Sequence, residues 1–490
     1  MKDFKPFHTL LFLLSTFGLL ALTAFVFPAN GIAIGELKLN FPTLSSFLFK
    51  PETKKPDISR IVALADAEDK ISEDKNDTTA EKEVEKIEAD STVRLITSIQ
   101  YKNNERGALD NFFESLENVN KEESIRILHY GDSQIEGDRI SDYLRLKLQN
   151  QFGGSGPGFI SPMPVAPSVA LKQSWSPSWE RYTIFTGKDK RVKHSNFGVG
   201  GSFCRFTDYR SISDSAKIVD AWLKVSTNKN GGPKLANYSK VKLFYAGAKH
   251  KTQVEFYENG TLKDADSLNN SGNFNIKQFS LNQMPNTFEL KFKGKDSPDI
   301  FGLSLEGNGG VMVDNFGLRG SSGTFFNQMN LSHLKLFYDH FNARLIILQF
   351  GGNSLPYIKD KTECDNFGRY LQSQIISIKK LVPDASILVV GPADMSVKEG
   401  TDYVTHPQLE NLRNAIRLAA FNTNSAFFDM YDCMGGKNSM VSWVEAGIAA
   451  KDYIHFSSGG ARKIATLLYT SLINDYNLYT SGGKKATPSK

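Results

Sequence analysis

The chain has 490 residues, 40% of them apolar and 23% charged, and a net charge of +5. That is the composition of a globular protein with room for roughly two or three domains. The charge is modest and no Lys/Arg run occurs, so nucleic acid is set aside as a partner; Cys204, Cys364 and Cys433 lie far apart without CxxC spacing, and the eight histidines lack metal-ligand spacing, so neither a disulfide scaffold, a metal site nor a cofactor is expected.

From Pro6 to Gly35 there is no Asp, Glu, Lys or Arg, and this run exceeds the roughly 20 apolar residues that cross a bilayer. Lys2 and Lys5 precede it, which predicts a cytoplasmic start and an exported remainder. Residues 1–35 therefore read as a signal anchor on the cytoplasmic membrane with the rest in the periplasm. The alternative is a cleaved signal peptide, with small residues available in "ALTAF" and "PANGIA". Residues 36–95 read as a charged, disordered linker. Its stretch 66–90 carries eleven acidic residues against four lysines and no Gly, Pro or aromatic residue, so it lacks the apolar surface for a core. The rest of the chain is then near +12, which suits an anionic envelope polymer.

From about residue 96 the pattern becomes that of a folded α/β domain. "SIRILHY" (124–130), "ARLIILQF" (343–350), "ASILVVG" (385–391) and "SAFFDMY" (425–431) read as short buried strands. Residues 138–152 and 368–382 read as amphipathic helices between them. Strands alternating with helices predict a parallel sheet covered on both faces, with ligands bound beyond the C-terminal strand ends. The block 156–311 breaks this rhythm. "YSKVKLFYAG", "TQVEFYENG", "NTFELKFKG" and "DIFGLSLEG" alternate apolar and polar residues and end near glycines, which predicts an inserted antiparallel β-sandwich. Trp175, Trp179 and Trp222 lie there, as sandwich core or as stacking surfaces for sugars.

"HYGDSQ" (129–134) leaves the first strand through Gly131, Asp132 and Ser133. By itself this is a turn and a helix cap. Near the C-terminus, "KDYIHFSSGG" places Asp452 three residues before His455 and ahead of an apolar helix. A serine hydroxyl becomes a nucleophile when a histidine takes its proton and a carboxylate orients that histidine. "FGLRGSSG" offers Gly320, and "FGGNS" offers Asn353, after two further strands. Backbone N–H groups and an Asn amide can hold the oxyanion of a tetrahedral intermediate. Together these residues place Ser, Gly, Asn and His at consecutive strand ends.

On those four blocks the sequence resembles the SGNH, or GDSL-like, hydrolases. The resemblance implies a flavodoxin-like α/β/α fold over residues 96–155 and 312–480, with a triad of Ser133, Asp452 and His455. It also implies an oxyanion hole from the N–H groups of Ser133 and Gly320 and the Asn353 side chain. Ser354 stands where the family usually has Asp, and Gly201 in "NFGVGGS" competes with Gly320 for the glycine role. The β-insert on an exported chain resembles the peptidoglycan O-acetylesterases and related envelope O-acetyltransferases. The implied activity is a serine esterase acting on O-acetyl groups of an envelope glycan. Alternatives are an O-acetyltransferase served by a membrane acyltransferase partner, and a non-catalytic glycan-binding or assembly protein. Glu136, Arg319 and Asn315 are either glycan contacts or ordinary loop residues.

Overall fold

The computed structural model describes residues 6–28, 31–34, 37–39, 41, 54–73, 82–84, 86–87, 96–120, 122–209, 217–228, 237–281, 286–400 and 402–482. It divides into two compact units, Met1–Lys54 and Lys55–Lys490.

In the first unit, helix α1 (Pro6–Val26) is apolar all round, with its side chains exposed. The 20 residues Phe7–Val26 span about 30 Å as a helix, the thickness of a bilayer's hydrocarbon core. Length and composition thus fit a membrane segment or signal anchor. A short antiparallel pair, Ile32–Ile34 with Leu37–Leu39, follows.

The second unit is built on a six-stranded sheet. Its strands are β1 (Ile99–Gln100), β2 (Ser124–Gly131), β3 (Gly310–Gly317), β4 (Ala343–Gln349), β5 (Ser386–Val390) and β6 (Ala426–Phe428). Their order is β3-β2-β4-β5-β6-β1, all parallel except β1. Leaving out β1, this is the flavodoxin-like order, whose switch point lies between β2 and β4. The longer helices are α2 (Ser59–Glu73), α3 (Asp110–Glu117), α4 (Ser141–Phe152), α5 (Leu331–Phe341), α6 (Lys361–Leu381), α7 (Leu409–Asn422) and α8 (Ser458–Ser481), with the short helices Met430–Cys433 and Ser439–Glu445 before α8. Strand alternation divides the core in two. Leu345 and Ile347 of β4 join the apolar residues of α2, α3, α4 and α8. Ile346 and Leu348 join those of α5, α6 and α7. The three layers follow from this split.

Between β2 and β3 the chain builds two antiparallel sheets. One has strand order Thr261–Ser267, Gln253–Glu258, Thr287–Gly294, Val219–Thr227, Leu171–Trp175. The other runs Asn275–Ser280, Lys240–Tyr245, Ile300–Glu306, Ser202–Arg205, Glu180–Thr183, with Gly158–Ile160 added against Ile300–Glu306. A separate apolar cluster fills the space between them. Phe159, Phe203, Phe244 and Phe301 of the second sheet also pack into the core beneath α5. Arg126 of β2 reaches the insert as well, pairing with Glu306 there and with Asp314 of β3. Trp179 is buried against Phe206 and Phe292, and Trp175 packs on the same cluster, so these two belong to the sandwich core. The parallel sheet resumes at Gly310, two residues before the expected 312.

The disordered reading of the linker is corrected for Ser59–Glu73, which forms α2. Ile61, Leu64, Ala65 and Ala67 are buried on one side of it. Asp66 pairs with Lys463 and Asp69 with Arg462 of α8. Asp66 and Asp69 are thus neutralised by a basic turn of α8, while an apolar stripe at helical spacing enters the core. Residues 74–81, 85 and 88–95 of the linker lie outside the described residues.

Candidate active site

Strand register creates the site. Gly131 of β2 lies opposite Gly317 of β3 and Gln349 of β4, and Gln349 lies opposite Val390 of β5. These C-terminal ends form one row, so the segments that follow them share one edge of the sheet. Ser133 follows β2, Gly320 follows β3 and Asn353 follows β4. The β2–β4 switch point therefore has Ser133 on one side and Asn353 on the other. The turn out of β2 needs a glycine for space. A Cβ on Gly131 would stand 2.9 Å from Ile135 Cδ1 and 3.1 Å from the Gln349 carbonyl oxygen.

Ser133 is half-buried, and its Oγ lies 2.8 Å from His455 Nε2. His455 Nδ1 lies 2.7 Å from Asp452 Oδ2. The other Asp452 oxygen accepts the Ile454 and His455 N–H groups, each at 3.0 Å. Partial burial pushes the Asp452 carboxyl up. The hydrogen bonds from the His455 backbone and ring and the Ile454 backbone outweigh it, and the carboxyl is held below its usual range. A carboxylate in that state fixes the imidazole with Nδ1–H toward Asp452 and Nε2 free to accept from serine. The structure thus brings together the three residues the sequence singled out. The two loops are also tied directly, since Gln134 Nε2 donates to the Ile454 carbonyl at 2.6 Å.

Gly320 is exposed and adopts φ +79°, in the left-handed region. Among the described residues, neither its N–H nor that of Ser133 donates to any protein acceptor. Asn353 Nδ2 donates to the Ser321 carbonyl at 3.1 Å, which holds the Asn353 amide beside the Gly320 turn. Its second N–H is left for another acceptor. Gly201, the rival glycine, spends its N–H on the Gly198 carbonyl at 2.8 Å and lies in the insert against Phe185 and against Phe325 of the segment after β3. Gly320 and Asn353 line an open groove of about 430 Å³ with Tyr357 and Tyr370. These two rings are 81% and 65% exposed. They escaped the sequence reading because lone tyrosines in "LPYIKD" and "GRYLQ" carry no pattern.

Glu136 and the half-buried Asn315 prove to be held by partners within the chain. Glu136 is buried and paired with Arg319. Asn315 Nδ2 donates to the Ile135 carbonyl and to Ser141 Oγ. Both brace the loop that follows Ser133.

No family model and no curated protein matches the chain. Among solved structures, a peptidoglycan O-acetylesterase matches 76% of this chain and 96% of its own, with TM-score 0.58 and 24% identity. An acetyl xylan esterase matches 34% of this chain and 81% of its own, with TM-score 0.24 and 17% identity. A carbohydrate esterase of family 2 with its carbohydrate-binding domain, from Corynascus thermopiles, matches 55% and 98%, with TM-score 0.25 and 9% identity. The last two align too loosely to bear on the argument. In fold, the chain resembles the SGNH, or GDSL-like, hydrolases. Within that class, the first match shares the fold over most of both chains.

Proposed function

We propose that the protein is a serine esterase that removes O-acetyl groups from a cell-envelope glycan, held at the cytoplasmic membrane by α1 with the larger unit outside. The observation that carries this reading is the continuous relay from Ser133 through His455 to Asp452 at the sheet's switch point. The esterase nature of the fold's solved relative supports it. The exposed Tyr357 and Tyr370 beside Asn353 supply faces on which sugar rings stack.

In the mechanism, His455 Nε2 takes the Ser133 proton as Oγ attacks the acetyl carbonyl carbon. The carbonyl π-electrons move to oxygen, and the oxyanion is held by the Ser133 and Gly320 N–H groups and the Asn353 amide. Collapse expels the sugar oxygen, which receives the proton from His455 Nε2 and leaves acetyl-Ser133. Water then attacks this ester while His455 Nε2 takes its proton, and the second collapse breaks the acyl–Oγ bond, returns that proton to Ser133 Oγ and releases acetic acid, which ionises to acetate.

The test follows acetate released by the full-length protein from a chromogenic acetyl ester and from O-acetylated envelope glycan, beside its S133A variant. An unacetylated acceptor glycan is present in a parallel reaction. Serine-dependent release into water is the expected result. Serine-dependent transfer onto the acceptor replaces hydrolysis by acetyl transfer. Identical behaviour of protein and variant on every substrate overturns the catalytic reading.

A further inference from the structure

Arg181 lies on the insert strand Glu180–Thr183, and its side chain lines a cavity of about 110 Å³ between the β-insert and the loop that follows Ser133. Glu136, Gly317 and Leu318 form the wall on the Ser133 side. Ser161, Gln173 and Ser202 bring neutral polar groups to the insert side. The cavity thus adjoins the segments that carry Ser133 and Gly320, and Leu318 N–H donates to the Gly131 carbonyl at 2.8 Å.

Charges around this cavity are paired, with one exception. Glu136 is taken by Arg319, and Asp138 by two hydrogen bonds from Arg145. Strand alternation sends Glu180 to the opposite face, where it pairs with Arg191. Arg181 has no acidic partner among the described residues. Its Nε is buried without a hydrogen bond, and Nη1 makes a single long contact of 3.5 Å to the Met163 carbonyl. Burial accordingly depresses its pKa, opposed only by the Cys204 sulfur, whose thiol burial itself pushes up to about 12 and so keeps neutral. A half-buried guanidinium with unused donors is costly to the fold unless an anion completes it.

We propose that Arg181 binds a carboxylate carried by the substrate glycan, so that this cavity selects acidic glycans for the adjacent serine. The assignment rests on the esterase reading. A carboxylate matches the guanidinium fork in two parallel hydrogen bonds, and the cavity accepts a carboxylate-sized substituent with the ring remaining outside. The basic balance of the chain beyond its acidic segment favours the same class of polymer.

The test compares kcat/KM of the full-length protein on an O-acetylated glycan bearing free carboxylates and on the same glycan after reduction of those carboxylates to alcohols. The expected preference for the carboxylated glycan is about tenfold or more, the range of charge-assisted hydrogen bonds. R181M should abolish the preference and R181K should keep part of it. The melting temperature of R181M should not fall, because the guanidinium gives up only a 3.5 Å hydrogen bond to the Met163 carbonyl and a 5.9 Å approach to the Phe185 ring, while its unused donors no longer need burying. Equal kcat/KM of the unaltered protein on both glycans overturns the proposal and leaves the esterase reading standing. Equal losses on both glycans in R181M, with a lower melting temperature, assign Arg181 to structure and also overturn it. A protein that hydrolyses no acetyl ester at all overturns the underlying reading. Calorimetric titration of the S133A protein with the two glycans then decides the carboxylate site separately, and equal affinities overturn it.

Discussion

The ring of Tyr403 lies flat on that of Tyr453, with centroids 3.6 Å apart and planes inclined by 9°. Tyr453 stands between Asp452 and His455 and adopts φ +59°, a conformation that costs a non-glycine residue about 1–3 kcal/mol. Tyr403 comes from a hairpin, Ser396–Glu399 with Asp402–Thr405, whose Ser396 N–H also donates to the Tyr453 carbonyl at 3.1 Å. The hairpin therefore clamps the turn that aims Asp452 and His455. Y403A is expected to lower kcat about tenfold on a small acetyl ester while KM stays constant, and Y403F should restore the rate. A change confined to KM would remove this positioning role.

In the proposed mechanism Asp452 acts through the imidazole, whose Nδ1 lies 2.7 Å from its Oδ2. In D452N the amide cannot hold Nδ1–H and stabilise the imidazolium, and the Ile454 and His455 N–H groups lose an ionised acceptor. The expected loss in kcat is about 10²–10⁴-fold, with S133A losing at least as much. Steady-state kinetics on a chromogenic acetyl ester, with circular dichroism to confirm folding, measure this. A D452N enzyme with undiminished kcat would detach the carboxylate from the relay.

Asn353 is half-exposed and makes one protein hydrogen bond through Nδ2, to Ser321. On the proposed reading its second amide N–H serves the oxyanion. N353A is expected to lower kcat by about 10²–10³-fold with little change in melting temperature. Stopped-time assays beside a thermal melt separate the two effects. A stability loss with intact kcat would make Asn353 a loop tie between β3 and β4.

The relay was legible because its parts are local in sequence. "GDSQ" follows an apolar strand, and Asp452 and His455 share one turn. The parallel layers were legible from apolar runs that alternate with helical stretches. The flavodoxin-like order came from family resemblance, because chain order does not state which side of β2 receives β3. The clamp was hidden for another reason. Tyr403 and Tyr453 are 50 residues apart, and a short hairpin such as "SVKEGTDYVT" carries too few alternating residues to stand out. In α2, four acidic residues mask Ile61, Leu64 and Ala65, and the cationic partners of Asp66 and Asp69 lie nearly 400 positions away on α8. Arg181 lay inside the block read as antiparallel strands, but its lack of an acidic partner is a property of three-dimensional packing.

Asp132 is 4% exposed beneath the nucleophile turn, where it accepts the Gln134 N–H at 3.0 Å. Burial pushes its carboxyl up to about 6, against the pull of that hydrogen bond and of His455. The folded value lies above the ordinary 3.8, so the folded chain holds a proton that the unfolded chain has lost between these pH values. Stability from this group is therefore greatest below pH 4 and declines as pH rises through 6, by up to roughly 3 kcal/mol. D132N keeps an acceptor for Gln134 and has no charge to bury. Relative to the unaltered protein, D132N should gain stability in urea unfolding at pH 7 and gain almost none at pH 4. A difference independent of pH would place the ionisation of Asp132 outside this window.

Helix α2 sets where a soluble form of the larger unit should begin. Leu64 is fully buried in the core shared with α8, and Asp69 accepts from Arg462 Nε at 2.8 Å and Thr466 Oγ1 at 2.7 Å. A chain started at residue 96 would expose the apolar face of α8 that α2 covers and leave Arg462 and Lys463 without Asp69 and Asp66. L64A is expected to cost about 2–5 kcal/mol, the range for emptying a buried leucine site. D69A should cost less, since Arg462 is partly exposed and rehydrates. A chain beginning at residue 55 should melt several degrees above one beginning at residue 96, measured by thermal unfolding at equal concentration. Coincident melting curves would show that α2 lies on the unit without stabilising it, and that its acidic face serves the tether alone.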